Sequence, residues 1–377
     1  MSQADHPLDR IVTFLRRFLI LPSEHDYFVL TVWIAHTYFI SYLSTTPRLA
    51  IISPEYGCGK SRVLEVLEKL SHKGEKLDHF TRSYLFRTID ITREETNRPP
   101  TLLLDELDTV WNGMSEESEA IRGIANSGYR DSGFYGITEG EGKNRKPTKF
   151  RTFAPMALAG KGEIMPESVM TRAITIRMQR RAGLEKIEDF LTPSVKFEAS
   201  EIVEHLESWL DSCGEDLEAI EPDMPVLDRD REVWLPLVKV AELASLEWRE
   251  KALSALLHHQ KIKEGNPLTR ERQLLSDVYK IFETLGIDRI PTRRLIEELC
   301  SLPDSEWTNF WQGKPINERS LAKRLRTYEI KSVQIRFQDR TSKGYYKGEV
   351  EQAYKRYVEA DTQVSEETSE TSETLFV

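Results

Sequence analysis

The stretch Arg48–Leu70, RLAIISPEYGCGKSRVLEVLEKL, constrains the fold more than any other. Four apolar residues, Leu49 to Ile52, give way to a glycine-bearing turn. A Lys-Ser pair follows, then a helical pattern with Val63, Leu64, Leu67 and Leu70 on one side. Strand, loop and helix in that order fit a phosphate-binding loop, G-x-x-x-x-G-K-[ST], with Pro54 in place of the first glycine. Gly57 and Gly59 let the backbone enter turn conformations closed to other residues and approach an anion closely. Consecutive N–H groups and the start of the helix then hold phosphate. Lys60 is expected to neutralise the β- and γ-phosphates of ATP, and the Ser61 hydroxyl to ligate Mg²⁺. Cys58 and Arg62 complete the expected nucleotide contacts, Cys58 as a small loop residue and not as a nucleophile. The competing reading is a chance Gly-Lys-Ser turn between a strand and a helix.

Thr101–Asp108, TLLLDELD, is a buried strand ending in paired carboxylates. In a phosphate-loop ATPase such a strand is expected beside the loop strand. Asp105 then holds Mg²⁺ through water and Glu106 polarises the attacking water. The alternative is that Asp105 merely caps a following helix.

Composition narrows the setting. Three cysteines, Cys58, Cys213 and Cys300, share no disulfide or metal spacing, so a reducing cytoplasm is expected. No secretory signal opens the chain. The most apolar segment, Phe28–Leu43, is short of the roughly 18 residues a membrane span needs and carries His36, so it reads as a buried helix. Net charge is −10, yet Arg270–Val358 holds 18 Lys/Arg against 13 Asp/Glu, and Glu359–Val377 holds six acids and no base. An acidic body followed by a basic module points to a polyanion as partner of the latter.

The chain divides accordingly. Residues 1–45 give two helices packed on the core, and residues 46–182 the ATPase core with a largely parallel sheet. Phe134–Glu139 and Thr148–Phe153 are expected as a hairpin whose tip carries Lys143, Arg145 and Lys146, either a solvated turn or a DNA-contacting loop. Arg172 precedes a further strand, where an oligomeric ATPase offers an arginine to its neighbour's γ-phosphate. A surface salt bridge is the plainer role, and Arg130 and Arg177 are the other candidates. Residues 183–268 are mostly helical and are expected to form a lid, with Arg229 and Arg231 turned toward the phosphates. Residues 269–358 give three helices and a hairpin, a winged helix. On its third helix, at about 100° per residue, Arg319, Lys323 and Arg326 share one face and Leu321 and Leu325 the opposite one, as DNA binding requires. A protein-binding winged helix with a solvated basic face is the alternative. The Ser/Thr/Glu-rich tail, 359–377, is expected to be disordered.

Several segments together, among them FLRRFLILPS, TPRLAIISPEYGCGKSRVLEVL, TLLLDELDT, IRGIANSGYR, TFAPMALAGKG, RAITIRMQRR and GKPINERSLAKRLRTYEI, carry a resemblance that covers Leu8 to Tyr357. The chain resembles a bacterial and phage family of phosphate-loop ATPases of unassigned function. In that family the loop lacks its first glycine, and members stand beside or fused to primase-type modules on mobile elements. The core is also similar to the AAA+ class through Gly57–Ser61, Asp105–Glu106 and Arg172. One departure is Ala157–Lys161, where that class places an Asn or Thr to sense the γ-phosphate; Lys161 is the substitute available.

The fold class expected is therefore α/β: an AAA+-like phosphate-loop core with a parallel sheet, a helical lid and a C-terminal winged helix. The function expected is Mg²⁺-dependent ATP hydrolysis by a homo-oligomer, ring or filament, that handles DNA as a helicase or helicase loader of a phage or mobile element. Its protein partner would be a primase, a helicase or a defence protein, and no membrane is involved. The alternative is an ATP-dependent switch or scaffold acting on a partner protein, with anti-phage defence as its setting. A phosphoryl transferase on a small substrate fits less well, because Asp105, Glu106 and Arg172 suit water as the acceptor.

Overall fold

The computed structural model describes residues 6–77, 80–107, 111, 116–139, 146–161, 165–181, 186–265, 270–303, 305, 307–308, 310, 314–337 and 340–359. The chain forms two compact units, Met1–Gln260 and Lys261–Val377.

The first unit opens with α1 (Pro7–Phe18) and α2 (Glu24–Tyr38). Pro7 at the first helical position and Ser23 as N-cap, accepting from the Asp26 N–H at 3.2 Å, fix where the two helices begin. Leu8, Ile11, Phe14, Leu15 and Phe18 form the buried stripe of α1, each stabilising by roughly 2 kcal/mol. α2 is buried on nearly every side from Val29 to Tyr38, as a helix apolar all round must be. Among the described residues no helix is long and apolar enough to cross a membrane.

The core continues through β1 (Arg48–Ser53), α3 (Lys60–Leu70), β2 (Gly74–Leu77), α4 (Arg82–Thr96), β3 (Thr101–Leu104) and α5 (Glu116–Ser127). The hairpin β4 (Phe134–Glu139) and β5 (Lys146–Arg151) follows, then β6 (Met156–Lys161), the short α6 (Glu167–Met170) and β7 (Ala173–Arg177). The sheet has five strands in the order β2-β3-β6-β1-β7, with every pairing parallel. The α/β class and parallel sheet expected from the sequence are present. One expectation fails: β3 is not beside β1, because β6 lies between them. Neither strand's sequence records its neighbour, since both are buried on two faces and read as plain apolar runs.

Side chains alternate across the sheet. Leu49, Ile51, Ala157, Ala159, Ile174 and Ile176 face a core shared with α1, α2 and α3. Ala50, Ile52, Leu102, Leu104, Met156 and Leu158 face a second core with α4 and α5. The helices expected as a lid, α7 (Pro193–Cys213), the short α8 (Asp216–Ala219), α9 (Asp228–Ala244) and α10 (Leu246–Gly265), contribute to the first of these cores. The N-terminal helices and the expected lid thus share one apolar interior.

β2 begins at Gly74; as an edge strand it stays half-exposed and leaves no apolar signal in the sequence. α4 runs to Thr96, where Asn97 ends it at φ 59°.

The second unit contains α11 (Arg270–Leu285), β8 (Arg289–Pro291), α12 (Thr292–Ser301), α13 (Glu318–Leu325), β9 (Val333–Phe337), β10 (Arg340–Tyr346) and α14 (Lys347–Tyr354). Its antiparallel sheet has the order β8-β10-β9. The expected hairpin, β9 with β10, gains a third strand, β8. Leu274, Phe282, Leu295, Leu321, Leu325 and Tyr345 meet in its core. The acidic tail beyond residue 359 lies outside the described residues.

Candidate phosphate-binding site

The glycine loop follows the carboxyl end of β1, where all five strands of the parallel sheet point the same way. Gly57 at φ 76° and Gly59 at φ 84° are both left-handed. A side chain at Gly57 would meet nothing within 4 Å, so conformation and not space demands glycine there. Gly59 is the N-cap of α3. Cys58 is buried and packs with the core that includes Met178.

Lys60 Nζ donates to Ser53 Oγ at 2.6 Å and lies 6.0 Å from the Tyr56 ring centroid. Ser61 Oγ donates to Asp105 Oδ2 at 2.9 Å. The start of α3 and the end of β3 are therefore joined by two hard oxygens. Mg²⁺ takes this kind of ligand, with one or two carboxylates and the remainder from water and phosphate, so the donor set fits that ion. Among the described residues no group of three or more His, Cys, Asp or Glu side chains could hold a metal.

Asp105 also accepts the Glu106 N–H, at 2.9 Å from Oδ1. Glu106 is exposed and adopts φ 52°. A non-glycine residue in the left-handed region costs about 1 kcal/mol or more and tends to occur where function requires it. Arg62 is engaged elsewhere: it pairs with Glu65 at 2.8 Å and lies over Phe190 at 4.9 Å. Lys161, opposite Ser53 in the β6–β1 register, reaches the loop with Nζ 4.7 Å from the Tyr56 ring. Tyr56, exposed and facing both lysines, was not anticipated; its place inside the loop motif was the only signal.

Arg172 lies at the other end of the sheet. Its carbonyl accepts the Arg48 N–H at 2.9 Å, at the amino end of β1. The five strand steps to Ser53 span roughly 16 Å. Arg172 Nη1 donates to Asn126 Oδ1 at 3.3 Å and to the Ser168 carbonyl. Arg130 and Arg229 are here too, pairing with Glu232 at 2.6 and 2.8 Å. This corrects the expectation that Arg229 turns toward its own chain's phosphates; Arg231 likewise faces Glu221, at 3.8 Å. Arg177, opposite Ile52, is at the loop end.

Arg48 organises this second end. It is fully buried, and burial pushes its guanidinium down to about 9. Its Nε and Nη2 donate to the Ala125 and Ile124 carbonyls at 3.0 and 3.1 Å, at the carboxyl end of α5, and its Nη1 to Ala154 at 2.6 Å. A cation suits the negative end of a helix. From α2, Trp33 Nε1 donates to the Pro47 carbonyl at 3.1 Å, and His36 Nε2 lies 2.9 Å from Thr46 Oγ1. His36 is a fully buried, hydrogen-bonded core histidine.

The remaining predicted contacts are scattered. Lys143 and Arg145 lie outside the described residues. Lys146 is exposed on β5, paired in register with Glu139. In the second unit Arg319, Lys323 and Arg326 are exposed while Leu321 and Leu325 are buried, so the helix has the two faces expected.

The family model described as "Protein of unknown function (DUF3631)" matches residues 177–357. The chain is similar to the C-terminal region of NrS-1 in its apo A form, at 14% identity and TM-score 0.36, over 89% of this chain and 74% of that one. It is also similar to the Thermotoga maritima RuvB Holliday junction branch migration motor, at 12% identity and TM-score 0.26, over 91% of this chain and 98% of that one. A curated relative, the "Uncharacterized 28.9 kDa protein in xis 5'region" of Saccharopolyspora erythraea, is 32% identical over 186 residues, 48% of this chain and 68% of that protein. With that identity across more than two thirds of the relative, this chain belongs to the family of the Saccharopolyspora erythraea 28.9 kDa protein.

Proposed function

We propose that the protein is a Mg²⁺-dependent ATPase of AAA+ type that assembles as a homo-oligomer and handles DNA. The observation that carries the reading is the Ser61–Asp105 contact of 2.9 Å beside a loop with two left-handed glycines. Together they put phosphate donors, a metal-type oxygen pair and the Glu106 carboxylate at one end of one sheet. Lys60 leaves Ser53 for the β- and γ-phosphates, Ser61 and Asp105 hold the metal, and Glu106 takes a proton from the attacking water. Bound Mg²⁺ supplies charge neutralisation on the phosphates. Arg172, turned away from its own loop, serves the nucleotide of a neighbouring copy.

The second unit supports the DNA part of the reading. Its element order, helix, strand, two helices, two strands, fits a winged helix, and Arg319 and Lys323 on the exposed face of α13, with Arg326 just past its end, are offered to phosphates. The work proposed is that of a helicase or helicase loader on a mobile element. A second reading rests on Lys161, which stands where an Asn or Thr γ-phosphate sensor is usual: an ATP-dependent switch that acts on a protein partner and turns over slowly.

The test is hydrolysis by wild type and Glu106→Gln, with and without single- and double-stranded DNA, at two salt concentrations. A DNA-stimulated rate that falls at least 100-fold in the variant supports the motor or loader. The triple variant Arg319→Ala/Lys323→Ala/Arg326→Ala should weaken DNA binding across sequences and lower the salt slope by about three. Hydrolysis indifferent to DNA would overturn the motor and favour the switch.

A further inference from the structure

Several cations of the second unit are answered by nearby carboxylates. Arg289 lies 3.7 Å from Asp288, Arg293 3.4 Å from Glu297, Arg294 3.4 Å from Glu298 and Lys347 2.6 Å from Glu283. Arg324, on α13 itself, pairs with Glu271 and stands over the Phe310 ring at 4.9 Å. Arg319, Lys323 and Arg326 differ. All three are exposed, and none has a carboxylate partner among the described residues. At about 100° per residue they fall within roughly 60° of one another. α13 and the turn after it therefore carry a stripe of three unpaired positive charges.

The chain comes back to this stripe at its far end. Val358 is buried in the core of the unit, and the Tyr357 ring packs 5.1 Å from that of Tyr328. Tyr328 ends the short 3₁₀ turn that begins at Arg326. The described residues stop at Glu359, so the chain leaves the core close to the stripe. Residues 360–377 then hold five acids, Asp361, Glu366, Glu367, Glu370 and Glu373, and no base. A segment of one sign starts next to a surface of the other.

We infer that residues 360–377 seat on this stripe as an internal competitor of DNA, their carboxylates answering Arg319, Lys323 and Arg326. The assignment rests on the DNA reading above and adds a block to it. Reach allows the contact. Glu359 to Glu366 covers up to about 23 Å of extended chain, and Arg319 to Arg326 only about 10 Å of helix. Tethering gives the segment an effective concentration on the order of millimolar. Each exposed ion pair is weak and screened by salt, so tethering makes the contact and a ligand of higher charge density breaks it. Duplex DNA, with one charge per roughly 1.7 Å of axis, is such a ligand. A second copy's segment has the same charges without the tether, which favours the chain's own.

The test uses the full chain. Carbodiimide joins a carboxylate to an amine without a spacer. It should link Lys323 to the acids of 360–377 within single chains, read by mass spectrometry on mixed isotope-labelled and unlabelled protein. Salt at about 1 M should abolish the link. The neutral-tail variant Asp361→Asn/Glu366→Gln/Glu367→Gln/Glu370→Gln/Glu373→Gln should bind duplex DNA about tenfold more tightly at low salt by fluorescence anisotropy, the gain shrinking as salt rises. Added to Arg319→Ala/Lys323→Ala/Arg326→Ala, the same five changes should gain less than about twofold, because nothing is left for the segment to cover. Circular dichroism checks that each variant folds.

A gain of equal size in both backgrounds is general charge repulsion and overturns the inference. Links found only between chains overturn the chain's own segment as the occupant and assign a second copy's. No Lys323 link, with DNA affinity unmoved by the five changes, overturns the inference and leaves the DNA reading standing. A Lys323 link in a protein that binds no DNA, with or without the five changes, supports the seating and overturns the DNA reading together with the competitor's role.

Discussion

At the carboxyl end of β1 the important groups are neighbours in sequence: Gly57 to Ser61 form one loop, and only Asp105 and Glu106 arrive from a second strand. At the amino end, Arg48, Tyr129, Arg130, Arg172, Arg229 and Glu232 arrive from four separate segments. The loop end is open, its lysines resting on an exposed Tyr56. The other end is anchored by a fully buried Arg48 that binds three carbonyls. A local motif can be mutated without unfolding the protein, because its backbone is held by the strand before it and the helix after it. A site gathered from distant segments is coupled to stability, because the same arginines that would bind a ligand also hold the segments together.

That difference sets the expected order of effects. Lys60→Ala should lower kcat/KM for ATP by 1,000-fold or more, while thermal unfolding moves by less than about 0.5 kcal/mol, the usual scale for surface changes. A matching loss of stability would erase the contrast between the two ends. Arg48→Met should do the reverse. It removes the desolvation cost of a buried cation but strands at least two buried carbonyls, at roughly 1–3 kcal/mol each. The loss of charge-assisted bonds wins, and urea unfolding should show about 3 kcal/mol of destabilisation. Arg48→Lys should not rescue it, since one ammonium cannot span carbonyls on α5 and at Ala154.

A smaller effect sharpens the same point. Burial lowers His36 to about 3, from an ordinary value of 6.5. Stability from the neutral imidazole is therefore complete above pH 6.5 and drains as pH falls toward 3, by at most about 1.4 kcal/mol per pH unit. His72, also lowered, chiefly by burial, adds to the same slope. His36→Gln should flatten part of the acid slope measured by urea unfolding between pH 6.5 and 4. An unchanged slope would mean that His36 does not support the amino end of β1.

Much of this was legible in residue order. Apolar runs marked β1 and β3; the glycine loop and Lys-Ser pair marked the turn after the first, and the Asp-Glu pair the end of the second. Arg319, Lys323 and Arg326 read correctly as one exposed helical face because helix period alone decides it. The position of β6 between β1 and β3 was not legible, nor was the start of β2, because neither leaves a distinctive pattern. Tyr129 and Glu232 carried no local signal at all. Arg229 was singled out but assigned to the wrong end of the sheet, since a helix's sequence does not say which edge it crosses. Arg48 read as an ordinary charged residue before a strand, and only the packing reveals that it is buried.

Residue order is enough for the α/β class, the loop with its left-handed glycines, and the periodic faces of the helices. These follow from backbone conformation and side-chain spacing over a few residues. Tertiary structure alone decided which strand separates β1 from β3, that Ser61 meets Asp105, and that three arginines share one tyrosine and one glutamate. Those outcomes depend on how buried area and buried charge are reconciled across distant segments, Tyr129 and Glu232 among them, and no local pattern encodes that balance.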